Sequence, residues 1–132
     1  MILKPRRVQG LQASPSVNKK FKLIAEKGPG VFVSAFVTKQ GGTNHLSQVA
    51  LYIDGVNVVA LTFIGADNAG LDQANNSGIK IVKENLYCFT IQFNEPLYYQ
   101  KDLVIEFSTG TDSGIAHVMA VAVLGSGCSY PE

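Results

Sequence analysis

The chain has 132 residues, 46% of them hydrophobic and only 16% charged, with a net charge of +1 and no tryptophan. That length suits one domain around one core, and no run of about 18 apolar residues is present to cross a bilayer as a helix. So low a charged fraction implies either a large core or apolar surface that meets a partner.

The charge is unevenly spread. Residues 1–27 hold seven Lys or Arg against Glu26 alone, while residues 28–132 hold four against nine Asp or Glu. Residues 1–20 also carry Pro5, Gly10 and Pro15 with no sustained period, which predicts an extended basic arm outside the core. Its Lys4, Arg6, Arg7, Lys19, Lys20 and Lys22 are candidates for docking on an acidic partner. The basic residues are few, and only Phe21 is interleaved with them, which argues against nucleic acid as that partner. The opening Met1-Ile2-Leu3-Lys4-Pro5-Arg6-Arg7 has no apolar run behind it, so it does not read as a signal peptide.

From Phe21 onward the texture is strand after strand. Strands are expected at 21–25, 31–37, 46–53, 56–64, 79–83, 86–93, 103–108 and 116–124. Gly28-Pro29-Gly30 punctuates the first pair. Asp54-Gly55 between two apolar runs is the strongest hairpin signal, because both central residues of a type I′ turn need positive φ. Residues 65–78 form the longest polar stretch of the body. Leu97-Tyr98-Tyr99 reads as an aromatic loop after Pro96. The expected fold is therefore all-β: an eight-stranded antiparallel sandwich, jelly-roll-like, over residues 21–132, preceded by the arm at 1–20. An immunoglobulin-like sandwich is the competitor, and the missing tryptophan weighs against it.

Constellations for chemistry are thin. His45 and His117 are far apart and have no Cys or His at zinc-ligand spacing. Asp67, Asn68, Asp72, Asn75 and Asn76 gather oxygens in one loop that would suit calcium, but the spacing is not that of an EF-hand and a solvated polar loop is the favoured reading. Cys128 with His117 is a conceivable nucleophile pair at a chain end, and Glu95, Asp102 and Glu106 are nearby acids without an evident cleft. No phosphate loop or dinucleotide fingerprint occurs. The expectation is a non-enzyme with no cofactor and no metal. Cys88 lies in a strand-like run as a small buried hydrophobe, and a disulfide with Cys128 is not expected. Tyr52, Tyr87, Tyr98 and Tyr99 could stack on a sugar, which makes Tyr98, Tyr99, Asp67, Asn68 and Asp72 a candidate ligand patch.

Leu51-Tyr52-Ile53-Asp54-Gly55-Val56-Asn57-Val58 and the stretch from Phe93 to Phe107 resemble small β-sandwich accessory proteins of tailed-phage particles, both capsid decoration (cement) proteins and appendage domains. The resemblance covers roughly residues 46–124 and rests on turn and strand patterns. It implies a homo-oligomer, with a trimer favoured, seated on a larger scaffold such as a capsid shell and assembled in the host cytoplasm. It brings no catalytic residues. The alternative is a jelly-roll module that binds carbohydrate or a receptor.

Overall fold

Runs of β-branched and aromatic residues with period two bury one face of a strand and leave the other outside. The computed structural model describes residues 2–71, 78–84, 88–94 and 96–129, with backbone alone at 2–4, 83–84 and 126–129. The described elements are β1 (Ile2–Ala13), β2 (Lys20–Lys27), β3 (Gly30–Gly41), β4 (Gln48–Ile53), β5 (Val56–Thr62), α1 (Phe63–Asn68), β6 (Ile79–Glu84), β7 (Cys88–Phe93), β8 (Leu97–Tyr99), β9 (Asp102–Ser108) and β10 (Ile115–Ser129).

Two antiparallel sheets face each other. One runs β1-β10-β3-β7-β6, with β8 pairing the start of β3, and the other runs β2-β9-β4-β5. The first strand lies beside the last, and the second beside β9. Successive strands β1 to β4 alternate between the sheets. That rolled order is a jelly roll, with β6 and β8 added to its eight strands.

The core follows the pleat. Phe89, Ile91 and Phe93 of β7, Leu103, Ile105 and Phe107 of β9, and Val118, Ala120, Ala122 and Leu124 of β10 all point inward and are buried. The expected hairpin is present: Asp54 and Gly55 have φ of 53° and 81° and join β4 to β5.

Four features depart from expectation. Within the stretch 1–20 read as an extended arm outside the core, residues 2–13 form β1, paired along nearly its whole length with β10 from Ile2↔Ser129 to Ala13↔His117. It is an edge strand, where proline is tolerated because half of the N–H groups have no ladder partner. Leu97–Tyr99 is a short strand on β3, not a loop. The apolar run after β5 turns helical at Phe63, because the Thr62 hydroxyl accepts the Gly65 N–H at 2.9 Å and caps α1. Cys88, expected in the core, is on the outer face of β7, half-buried beside the Thr38 hydroxyl.

Candidate functional site

The outer face of the β1-β10-β3-β7 sheet has an apolar centre. Register sets residues from the four strands in rows: Gln9–Val121–Phe36–Gln92 is one, and Leu11–Met119–Thr38–Thr90 the next. Phe36, Met119, Val121 and Val123 are half-buried there, and Leu11 is 61% exposed. Arg7, Gln9, Ser34 and Gln92 rim a shallow depression of about 370 Å³ over Phe36, Val121 and Val123. Polar pairs brace it: Gln9 Nε2 donates to Met119 Sδ at 3.4 Å, and the Thr90 hydroxyl donates to Thr38 at 2.8 Å. An apolar centre inside a polar rim is the composition of a protein–protein contact surface.

A different chemistry lies inside the sandwich. Lys39, at an inward position of β3, is fully buried against Asp112, which is also fully buried in the loop before β10. Lys39 Nζ contacts Asp112 Oδ2 directly. The Ser47 hydroxyl donates to the same oxygen at 2.8 Å, and the Thr43 backbone N–H donates to Oδ1 at 2.7 Å. Lys39 Nζ also lies 5.3 Å from the centre of the Phe63 ring. Phe63 meets Phe89 edge-on at 5.0 Å, and His45 tilts against Phe89 at 5.4 Å. Burial pushes the Lys39 ammonium below its ordinary pKa, against the pull of Asp112. Burial also opposes ionisation of Asp112, but hydrogen bonds from Lys39, Ser47 and Thr43 outweigh it and hold the carboxyl below its usual range. Desolvation, followed by the Lys39 charge, depresses His45.

No protein-family model matches the chain, and no curated protein matches it. Solved structures do. One is infectious bursal disease virus, Gx strain, with 13% identity over 97% of this chain and a TM-score of 0.49. Another is the VP2 subviral particle of that virus, with 13% identity over 97% of this chain and a TM-score of 0.47. A third is dimeric latent PorU from Porphyromonas gingivalis, with 12% identity over 96% of this chain and a TM-score of 0.47. This chain spans 34% of the length of each viral chain and 13% of PorU. None of the three is a tailed-phage protein. The jelly-roll assignment rests on the strand order described above.

The basic residues expected to act together are dispersed. Arg6 crosses between the sheets to Glu26 of β2 at 2.6 Å, whereas Arg7 joins the rim of the outer face. Lys20 and Lys22 lie on the opposite outer surface near Glu106, with Lys20 Nζ 3.8 Å from its carboxylate. The Lys19 backbone N–H donates to the Thr109 hydroxyl at 2.9 Å, and the Lys4 side chain lies outside the described residues. The ligand patch divides as well. Tyr98 is 70% exposed while Tyr99 is 2% exposed, since neighbours on β8 point to opposite faces. Burial pushes the Tyr99 phenol above its ordinary value. Asp67 and Asn68 are helical residues of α1. Asp72, Asn75, Asn76, Tyr87 and Glu95 lie outside the described residues, as does the Cys128 side chain. Among the described residues no group of three His, Cys, Asp or Glu could hold a metal ion, and no helix is long and apolar enough to cross a membrane.

Sequence reasoning missed Lys39, Ser47 and Asp112. The signal was parity: Ala35 and Val37 point inward, so the next inward position of a longer β3 is Lys39. Expecting the strand to end at 37 hid it.

Proposed function

We propose that the chain is a structural protein of a virion-type particle. In this reading it associates with copies of itself, with a trimer favoured, and decorates or cements a larger protein shell. The observation that carries the proposal is the outer face around Phe36, Met119, Val121 and Val123: apolar at its centre, polar at its rim and borne on four hydrogen-bonded strands. Jelly rolls serve as shell-forming domains and as lectins, and analogy of fold admits both uses. The carbohydrate-binding alternative keeps an exposed Tyr98 but loses Tyr99 to the core.

Sedimentation of the purified chain at micromolar concentration tests the reading. The native protein is expected to run as a closed oligomer. Val121→Lys, which sets a charge between Gln9 and Phe36, is expected to give monomers with an unchanged circular dichroism spectrum. A wild-type monomer across the concentration range overturns the proposal.

A further inference from the structure

We propose that Lys39 and Asp112 are the two ends of an intramolecular isopeptide bond, formed by the folded chain itself between Lys39 Nζ and Asp112 Cγ with loss of one water. The two groups are in contact, and both side chains are fully withdrawn from solvent. Such a pair gains little as an ion pair, because desolvating two charges cancels most of their attraction. The same dry setting favours condensation. Next to Phe63 an ammonium is poorly solvated, and the step starts from the minor form in which one proton has passed from Lys39 Nζ to Asp112 Oδ2, leaving an uncharged amine facing an uncharged carboxylic acid.

The surroundings of Asp112 match what attack on its carbon requires. Lys39 Nζ adds to Cγ, and negative charge develops on Oδ1, where the Thr43 N–H sits at 2.7 Å with the Asn44 N–H behind it at 3.4 Å. Oδ2 departs as water. It carries one proton taken from the original ammonium and a second released by the nitrogen as the amide forms, and the Ser47 hydroxyl at 2.8 Å steadies it. His45, in the same loop as Thr43 and Ser47 and packed on Phe89, would accept and return that second proton. Its Nδ1 is buried with no hydrogen-bond partner among the described residues, and it feels the charges of both Lys39 and Asp112. Nothing is oxidised or reduced: an amine and an acid give an amide and water. Gly42 keeps the space open, since a Cβ there would lie 2.5 Å from Asp112 Oδ1 and 2.8 Å from Lys39 Nζ. The fold supplies the proximity that makes the step intramolecular.

The bond would tie the end of β3 to the loop before β10, 73 residues on in sequence. It would remove both buried charges at once.

The intact mass of the full chain, measured after unfolding in denaturant, tests the proposal. The wild type is expected to weigh one water less than its sequence, and Lys39→Arg and Asp112→Ala to weigh what their sequences do. A protease digest is expected to contain one branched peptide joining the Lys39 and Asp112 segments. These readouts hold whether or not the variants fold. Folded wild type that keeps its full sequence mass on prolonged incubation overturns the proposal, as does a lost water with no branched peptide. His45→Phe, which keeps a ring against Phe89, is expected to slow the appearance of the lighter species at least tenfold. An unchanged rate overturns the assignment of His45.

Discussion

Asp54 has two tasks at one position. Its positive φ makes the β4–β5 turn, and its carboxylate gathers the backbone N–H groups of Lys101 at 2.6 Å, Gln100 at 3.0 Å and Asp102 at 3.1 Å. The Lys101 amide, and then that of Gln100, holds the carboxyl below its ordinary pKa. A carboxylate depressed in this way binds fewer protons folded than unfolded. Its contribution to stability is therefore full above the ordinary carboxylate pKa and lost as pH falls through the folded value. Asp54→Asn keeps a residue that tolerates positive φ but gives up the charge. Thermal unfolding is expected to show the variant melting several degrees below wild type at neutral pH, with the gap closing in acid. Gly42 is a second single-residue control point. Its φ of 112° excludes side chains, and its missing Cβ makes room for the Lys39–Asp112 contact. Gly42→Ala is expected to cost about 1–3 kcal/mol in urea unfolding and to leave most of the protein at full sequence mass.

Among the elements, β1 decides how the sandwich closes. Gly10 lets β1 lie directly over β2, since a Cβ there would fall 1.7 Å from the Leu23 carbonyl oxygen. Backbone cannot yield as a side-chain tip can. Gly10→Ala is therefore expected to cost more than the roughly 1–3 kcal/mol of ordinary overpacking and to raise amide exchange along β1 and its partner β10. Val8 packs on the core from the same strand, and the Arg6–Glu26 pair bridges the seam. Little of this was legible in the sequence. Strands with two partners and one buried face announce themselves by alternation, as β7 and β9 do. An edge strand with one partner needs no such pattern, and Pro5 and Gly10 read as breakers when one is tolerated at an edge and the other needed for close approach. The Asp54-Gly55 hairpin was legible because backbone conformation alone dictates those residue types. α1 was not, because its capping Thr62 follows an apolar strand without a break. The Lys39–Asp112 contact depends on a loop closing over a strand, which no local spacing encodes.

At the scale of the whole molecule, the question is whether residues 1–13 are an appendage or part of the body. If they were an appendage, their removal would leave a stable sandwich that had lost only a contact. The ladder argues otherwise. β1 covers β10 from Ile2↔Ser129 to Ala13↔His117, and β10 is the longest strand and the link to β3. Without β1, β10 would become a long bare edge carrying unpaired backbone groups, the condition that promotes edge-to-edge aggregation. The deletion would also strip Arg7, Gln9 and Leu11 from the outer face, so the self-association proposed for that face would be lost together with the fold. A chain starting at Ser14 is therefore expected to be poorly soluble, with a lower and broader thermal transition than the full chain. A synthetic peptide of residues 1–13, added during refolding, is expected to restore soluble protein by pairing as the missing strand. If the shortened chain instead folds with the melting temperature of the full protein and loses only self-association, β1 is dispensable to the sandwich and its role lies in the contact between copies.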